Sequence, residues 1–171
     1  VTNNASSQTY AYDSLGRLKY SAICHDGDYV LELTPFYYAP SATATSTQLA
    51  AYEISGAEYY DYFTYAYDNN GNITSISDGT YTVSYVYDSQ NQLIRENNQK
   101  ANKTWTWEYD GAGNILSKSE YAYTTGTLET ATSTKTYTYG DGAWGDLLTN
   151  YNGTAITYDE IGNMLTNGSK T

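Results

Sequence analysis

The chain has 171 residues, a formal net charge of −11 and a sequence pI near 4.2. An acidic chain of this kind is a poor partner for nucleic acid and for anionic membranes, and no apolar run reaches the length of a transmembrane helix. Aliphatic residues are scarce, but 22 Tyr and 3 Trp supply the bulky apolar surface that a core needs. The abundance of Tyr and Thr and the shortage of helix formers predict an all-β protein.

A nine-residue motif recurs along the chain. Its form is aromatic-x-Tyr-Asp-x-x-Gly-Asn/Arg-aliphatic, and the alternation before the aspartate is that of a β-strand. Five copies occupy residues 10–18, 65–73, 85–93, 107–115 and 156–164. A sixth, from Tyr137 to Gly140, keeps the strand but replaces the turn. This recurrence predicts a repeat protein made of antiparallel β-hairpins in a twisted, spiralling sheet.

The chemistry of a tight turn explains each motif position. Three residues between Asp and the following Asn, Gln or Arg fit a three-residue hairpin loop whose last residue is left-handed. Glycine fills that position in four copies and Asn91 in the other, as a positive φ requires. The aspartate can accept hydrogen bonds from the loop amides, and the tyrosine before it should face the aliphatic residue after the loop. The predicted structural residues are Tyr12, Asp13, Gly16, Leu18, Tyr67, Asp68, Gly71, Ile73, Tyr87, Asp88, Asn91, Leu93, Tyr109, Asp110, Gly113, Ile115, Tyr158, Asp159, Gly162 and Met164.

A second kind of hairpin follows the first motif copy. Asp26-Gly27 predicts a two-residue turn. That turn would pair Cys24 with Tyr29 and Ala22 with Leu31, which places Cys24 in a core face as a small apolar residue.

Residues 34–57 depart from the repeat and are expected to form an irregular insertion. They hold both prolines, Pro35 and Pro40, and a small polar run from Ser41 to Thr47. A short helical turn is expected over Gln48 to Glu53. With this insertion, residues 1–171 are predicted to form a single segment of repeats.

Three further turns connect the later motif copies. At Asp78-Gly79 a two-residue turn would place the next tyrosines on the face opposite Tyr67, whereas an odd-length loop keeps one tyrosine face. The odd-length loop is favoured because one buried face is the simpler structure. A long hairpin should turn near Gly126, and a turn at Asn152-Gly153 should pair Leu147 with Tyr158.

The repeated residues resemble the YD repeat of the Rhs family, Tyr-x-Tyr-Asp-x-x-Gly-Arg-Leu at a spacing near twenty. Here Asp68, Asp88 and Asp110 are spaced by 20 and 22 residues, and the resemblance covers residues 1–33 and 58–171. This family includes bacterial Rhs toxins, wall-associated proteins, insecticidal toxin-complex components and animal teneurins. The resemblance implies a β-sheet strip that spirals into a hollow shell, which in bacterial members encloses a variable C-terminal toxin.

The chain departs from the family pattern at two points. Arginine follows the turn glycine only at Arg17, and Asn or Gln replaces it elsewhere. The family's terminal core motif with its self-cleaving aspartates has no counterpart in this sequence, and neither has a toxin domain. No catalytic residue is therefore carried over from the family.

Other candidate sites have a simpler structural explanation. Cys24-His25-Asp26 is the most enzyme-like string, but neighbours on a strand point to opposite faces. The turn aspartates could suggest calcium, but each loop offers one carboxylate, whereas calcium takes about six to eight oxygen ligands. Asp141 and Asp146 could flank a glycosidic bond in principle, but both lie in a Gly-rich turn. We expect no enzymatic activity, no metal and no cofactor.

Two functions fit the sequence. The first is a structural segment of a secreted or surface Rhs-type protein, whose partners are flanking YD repeats and an enclosed C-terminal domain of the same parent chain. The alternative is a cell-surface adhesion module, in which exposed tyrosines stack on polysaccharide. Because the chain begins without a start methionine and ends just after a repeat, it is expected to be an excised piece of a longer protein.

Overall fold

The structure, a computed structural model, describes residues 5–39, 46–140 and 145–168. Within those ranges every regular element is a β-strand, and each recorded strand pair is antiparallel. No helix in the described ranges is long and apolar enough to cross a membrane. The prediction of an all-β fold made of antiparallel hairpins is confirmed.

The chain divides into two compact units, Val1–Thr82 and Val83–Thr171. In the first unit six strands follow one another in both sequence and sheet order. These strands are β1 (Ser6–Tyr12), β2 (Leu18–His25), β3 (Asp28–Tyr37), β4 (Leu49–Gly56), β5 (Tyr59–Tyr67) and β6 (Ile73–Ser77).

The second unit repeats this up-and-down order, and its last two strands form a separate hairpin. Its strands are β7 (Thr82–Tyr87, whose first residue lies in the first unit), β8 (Leu93–Asn98), β9 (Lys103–Tyr109), β10 (Ile115–Ala122), β11 (Ser133–Tyr139), β12 (Leu148–Tyr151), β13 (Thr154–Ala155), β14 (Thr157–Tyr158) and β15 (Met164–Thr166). The prediction of one segment over residues 1–171 stays a prediction.

The hairpin between β2 and β3 differs from the expected register. Cys24 pairs with Tyr29, as expected, but Ala22 pairs with Glu32 instead of Leu31. The register shifts by one residue between Ile23 and Cys24, as in a β-bulge, which sequence periodicity does not reveal. Cys24 is only half-buried.

Much of the segment 34–57 is regular strand, contrary to expectation. β3 continues to Tyr37, and residues 49–56 form β4, so no helical turn forms over Gln48 to Glu53. The two strands pair from Leu31 with Gly56 to Tyr37 with Leu49. The pairing of β4 with β3 and β5 supplies the backbone hydrogen bonds of residues 49–56. These residues have no aspartate-turn motif of their own. Residues 40–45 lie outside the described ranges.

The turn after β6 has two residues between its hydrogen-bonded ends, so the expectation of an odd-length loop is wrong. The amide of Asp78 donates to the carbonyl of Tyr81 at 3.1 Å. The Asp78 carboxylate accepts from the amides of Thr80 and Tyr81 at 3.0 and 2.7 Å, and Gly79 has φ +84°. These local hydrogen bonds favour the two-residue turn over a common tyrosine face.

Near the C-terminus, Asn152 and Gly153 form the predicted turn with φ values of +50° and +86°. The ladder between β12 and β13 pairs Tyr151 with Thr154 and Asn150 with Ala155. No pairing of Leu147 with Tyr158 is recorded, so that expectation stays a prediction.

Few described side chains are fully buried. The buried apolar residues are Ala22, Ala51 and Ile156, and the buried polar residues are Ser21, Asn97 and Thr104. Most motif tyrosines are half-buried. This degree of burial suits a side chain that combines a large apolar ring with a hydroxyl that needs a partner.

Candidate functional site

The aspartate turn is a closed network of local hydrogen bonds, as the second motif copy illustrates. The amide of Asp68 donates to the carbonyl of Asn72 at 3.0 Å, and the amide of Gly71 donates to the carbonyl of Asp68 at 3.2 Å. One carboxylate oxygen, Oδ1, accepts from the amides of Asn70 and Asn72, each at 2.9 Å. The other, Oδ2, accepts from the Asn72 side-chain amide at 2.9 Å. The same set of bonds recurs at Asp110 and Asp159.

The first and third motif copies keep this network with a different residue after the glycine position. At Asp13 the side-chain donor is the guanidinium Nε of Arg17, at 2.6 Å. At Asp88 the loop amides of Gln90 and Gln92 donate at 2.8 and 2.9 Å. An arginine at this position is therefore one of two ways to donate to the second carboxylate oxygen, and asparagine is the other.

The predicted left-handed residue is confirmed in all five turns. The φ values are +76° at Gly16, +89° at Gly71, +62° at Asn91, +92° at Gly113 and +87° at Gly162.

Hydrogen bonding to the charged carboxylate lowers the pKa of several turn aspartates. The side-chain amide of Asn72, followed by loop amides, outweighs desolvation and lowers the pKa of Asp68 below its usual 3.8. The pKa values of Asp110 and Asp159 are lowered for the same reason, with Asn114 and Asn163 as the first donors. These carboxylates accept hydrogen bonds from the amides of their own loops, so their lowered pKa values are explained by a role as turn caps.

Each motif tyrosine pairs with the aliphatic residue predicted for it. The confirmed pairs are Tyr12–Leu18, Tyr67–Ile73, Tyr87–Leu93, Tyr109–Ile115 and Tyr158–Met164. In every case the register shifts by one residue beside the pair, so a bulge belongs to the repeat.

Two further pairs have this geometry without an aspartate turn. Tyr37 pairs with Leu49 across residues 38–48, and Tyr139 pairs with Leu148 across residues 140–147. Both hairpins carry the same one-residue shift beside the pair. Sequence reasoning missed the first because its connection lacks the Asp and Gly that mark the other turns. Its main sequence signal is a tyrosine at the end of a long apolar strand.

A hydrogen bond that joins consecutive hairpins was not predicted. The hydroxyl of the tyrosine donates to the backbone carbonyl of the aliphatic residue in the preceding Tyr–aliphatic pair, and we call this the cross-hairpin tyrosine bond. It is formed by Tyr37 to Leu18 at 3.1 Å, Tyr67 to Leu49 at 2.9 Å, Tyr109 to Leu93 at 2.8 Å and Tyr158 to Leu148 at 2.9 Å. Acceptor and donor are 19, 18, 16 and 10 residues apart, so no fixed sequence spacing reveals the bond.

Two of the tyrosines that form these bonds are also desolvated. Burial raises the pKa of Tyr67 and of Tyr109 above the usual 10.0. The fold therefore favours the neutral hydroxyl, which donates to a carbonyl at a partly buried position. The hydroxyl contributes to cohesion between hairpins only while it is protonated.

In the second unit a buried polar cluster holds the long loop after β10 against the sheet. Thr104 is fully buried, and its hydroxyl lies 3.0 Å from both the amide and the carbonyl of Thr124. The guanidinium of Arg95 donates to the carbonyls of Thr124 and Gly126 at 2.7 and 2.9 Å, and its Nε donates to Asn97 at 2.7 Å. The held loop borders an open cleft of about 450 Å³ lined by residues between Tyr121 and Thr132.

At the enzyme-like string Cys24-His25-Asp26, the recorded contacts of the imidazole are with Ser6 and Asp26. His25 Nδ1 lies 3.0 Å from the hydroxyl of Ser6, and His25 Nε2 lies 3.7 Å from the carboxylate of Asp26. The second distance exceeds hydrogen-bond range, and the side chains of His25 and Asp26 are 43% and 54% exposed. The arrangement is an open surface contact that lacks the geometry of a nucleophile, base and orienting acid.

The sequence also offered two other candidate sites, the acid pair Asp141 and Asp146 and the turn aspartates. Asp141 lies outside the described ranges, so its position relative to the exposed Asp146 is not described. Among the described residues no group of three or more His, Cys, Asp or Glu side chains could hold a metal ion.

Comparison with known proteins gives one family match and similar solved structures. The family model described as RHS Repeat matches residues 87–127, from the third motif copy into the loop after β10. No curated protein matches the chain.

Two crystal structures share the fold over most of the chain. One is the structure of TcdB2-TccC3-Cdc42, with a TM-score of 0.51 and 16% sequence identity. The other is the structure of TcdB2-TccC3 without its hypervariable C-terminal region, with a TM-score of 0.51 and 18% identity. Each match covers 94% of this chain but only 11% of the matched chain. Residues 87–127 therefore match an RHS repeat, the recurrent Tyr-Asp hairpins extend the same motif along the chain, and the chain shares the fold of part of these two structures.

Proposed function

We propose that this chain is a structural shell segment of a longer, secreted or surface Rhs-type protein. Together with flanking YD repeats it forms part of a hollow β-shell that encloses a C-terminal toxin or cargo domain of the same parent chain. The segment itself carries out no chemistry.

The cross-hairpin tyrosine bond is the observation that carries this proposal. A wall must resist separation between neighbouring strands, and here tyrosine side chains reinforce the backbone ladder at the ends of several hairpins. Such a bond contributes about 0.5–1.5 kcal/mol, and repetition adds the contributions of successive hairpins. The likeness to a small part of two much longer chains supports the same proposal, because a shell needs many such segments.

The proposal is tested by limited proteolysis of the longer protein. The downstream domain should be cleaved much faster when residues 1–171 are deleted. A double variant, Gly71→Val with Gly113→Val, should give a smaller increase because both residues need positive φ. Gly111→Val is the matched control, since Gly111 lies beside one of these positions and a Cβ there meets no atom within 4 Å. Equal protease sensitivity of the domain in the intact and deleted proteins would contradict an enclosing role.

A second candidate function, polysaccharide binding, is favoured by one group of exposed tyrosines. Tyr29, Tyr59 and Tyr60 are 62%, 51% and 63% exposed, and all three lie beside the turns opposite the aspartate turns of the first unit. Exposed aromatic surface of this kind can stack on sugar rings and often marks an interaction site. By contrast, Trp105 and Trp107 are partly covered by Lys118, whose ammonium lies 5.4 and 5.0 Å from their ring centroids.

Surface iodination separates the two functions. In a sugar-binding protein the exposed tyrosines should label readily and should be protected by added cell-surface polysaccharide. In a shell segment polysaccharide should leave the labelling unchanged, and Tyr67 and Tyr109 should label more slowly than Tyr60.

A further inference from the structure

The first described hairpin lacks the cross-hairpin tyrosine bond that four other hairpins make. Tyr12 pairs with Leu18 as in the other repeats, but β1 is the first strand of its sheet. The Tyr12 side chain is 61% exposed, and within the described ranges its hydroxyl has no hydrogen-bond partner. By the geometry of Tyr37 and Tyr67, this hydroxyl is placed to donate across the outer edge of β1.

The last hairpin offers the complementary group. Met164 pairs with Tyr158 and holds the position of the aliphatic residues whose carbonyls accept the cross-hairpin tyrosine bond. Met164 and Leu165 are 55% and 57% exposed, and β15 pairs with β14 alone among the described strands. This hairpin already forms the cross-hairpin tyrosine bond to the hairpin before it, because the Tyr158 hydroxyl donates to the Leu148 carbonyl at 2.9 Å.

We propose that the two ends form complementary halves of one docking surface, so that β15 of a second copy of this chain binds along β1. In that contact the hydroxyl of Tyr12 donates to the carbonyl of Met164 of the second copy. Strand edges that have no neighbour among the described strands supply the backbone hydrogen bonds, and exposed Tyr10 and Leu165 bury apolar surface. The contact is head-to-tail, so it joins copies in series, as a ring or an open chain, instead of forming an isologous dimer.

This inference rests on the proposed function in one respect. In a shell, a flanking repeat of the parent chain would occupy the same edge, and the second copy takes its place when the segment is alone. Failure of the two proposals is distinguishable, because enclosure is measured by proteolysis of a downstream domain and docking by self-association of the isolated chain.

The first test is sedimentation velocity of the 171-residue chain over a range of concentrations. The chain should form a concentration-dependent series of oligomers, and Tyr12→Phe should weaken association about three- to tenfold, as expected for one lost hydrogen bond. Tyr60→Phe is the matched control, because Tyr60 is 63% exposed and lies on β5, outside the proposed contact, and it should change association by less than about twofold. A chain that stays monomeric up to about 1 mM, where only very weak association escapes detection, would overturn the proposal. Equal weakening by the two variants would overturn the role of Tyr12.

The second test locates the contact. A photoreactive benzoylphenylalanine placed at position 10 leaves the Tyr12 hydroxyl in place and should crosslink to residues 157–166 of a second copy, as mapped by mass spectrometry. Crosslinks from position 10 to β1 of the second copy would mean that like edges pair, and this result would overturn the head-to-tail contact.

Discussion

Two hairpins of the first unit share one geometry but differ in how they turn. Tyr67 pairs with Ile73 across a tight aspartate turn, whereas Tyr37 pairs with Leu49 across residues 38–48, which have no such motif. Both hairpins have the same one-residue shift beside the pair. Both tyrosines donate to the preceding hairpin, Tyr67 to Leu49 and Tyr37 to Leu18.

The comparison separates the features that define the repeated hairpin from the turn that connects its two strands. The Tyr–aliphatic pair, the bulge and the cross-hairpin tyrosine bond are present in both hairpins, so they define the repeated unit. The aspartate turn is one way to connect the two strands, and a longer connection is another. Changes to the tyrosines should therefore affect both hairpins alike, whereas changes to the turn should affect only one.

The largest effect is expected from removing the tyrosine side chain. Tyr67→Ala and Tyr37→Ala should each lower the free energy of unfolding by about 2 kcal/mol, less than for a fully buried aromatic because both rings are half-exposed. Tyr60→Ala, at a 63% exposed position, should cost less than about 0.5 kcal/mol. Chemical denaturation measures all three. Clearly unequal losses for Tyr67→Ala and Tyr37→Ala would show that the two hairpins are not equivalent units.

The next effect concerns the aspartate turn alone. Gly71→Val should cost about 1–2 kcal/mol, because Gly71 has φ +89° and a side chain is strained there. The nearest atom to an added Cβ is Gln48 Nε2 at 3.9 Å, so the cost comes from backbone conformation and not from a clash. The control Gly111→Val should be near neutral in the same denaturation experiment. If both substitutions shifted the unfolding midpoint equally, the left-handed position would not account for the glycine.

A smaller effect is expected from lengthening the connection between Tyr37 and Leu49. Two glycines inserted after Ala39 should cost only a few tenths of a kcal/mol, because loop-closure entropy grows slowly with length. The same insertion after Asn70 interrupts the hydrogen bonds to Asp68 and should cost more. The comparison fails if the two insertions have equal effects on the free energy of unfolding.

Acid should destabilise the hairpin that has the Asp68 turn more than the hairpin of Tyr37 and Leu49. The pKa of Asp68 is lower in the folded chain than its usual 3.8, so its contribution to stability is complete above that value and is lost as pH falls through the folded pKa. The connection between Tyr37 and Leu49 has no such carboxylate. Amide hydrogen exchange should therefore show the turn at 68–72 opening at higher pH than the ladder around Tyr37. Asp68→Asn should remove the pH dependence of that turn, and a dependence that persists in the variant would assign it to another group.

Alkali should act on the Tyr67 hairpin through the hydroxyl of its tyrosine. Burial raises the pKa of Tyr67, so the neutral hydroxyl stabilises the fold below the usual pKa of 10.0, and this contribution is lost as pH rises through the folded value. Spectroscopic titration of tyrosinate should follow unfolding in the wild type. In Tyr67→Phe the unfolding should depend less steeply on pH, and an unchanged dependence would assign it to other tyrosines.

The repeat was predictable because its turn chemistry is local. Asp13, Gly16 and Leu18 lie close together in sequence, so hairpin geometry alone fixes their roles. The pairing of Tyr37 with Leu49 was missed because it depends on neighbouring strands and not on a turn signal. The β2–β3 register was missed because a bulge adds one residue without changing the apolar pattern.

The cross-hairpin tyrosine bond could not be found in the sequence at all. Its acceptor is a backbone carbonyl, which every residue has, and the donor–acceptor separation varies from 10 to 19 residues. A half-buried tyrosine hydroxyl needs water or another partner, but the sequence does not show which group that partner is.

The most direct test of the cross-hairpin tyrosine bond is hydrogen–deuterium exchange of Tyr67→Phe against the wild type. The ring and the pairing with Ile73 remain, and only the bond to the Leu49 carbonyl is lost. The amides of the preceding hairpin, in the parts of β3 and β4 near Tyr37 and Leu49, should then exchange faster, while Tyr60→Phe leaves them unchanged. If faster exchange were confined to residues 65–75, the tyrosine hydroxyl would stabilise only its own hairpin, and the account of a wall joined hairpin to hairpin by tyrosines would be contradicted.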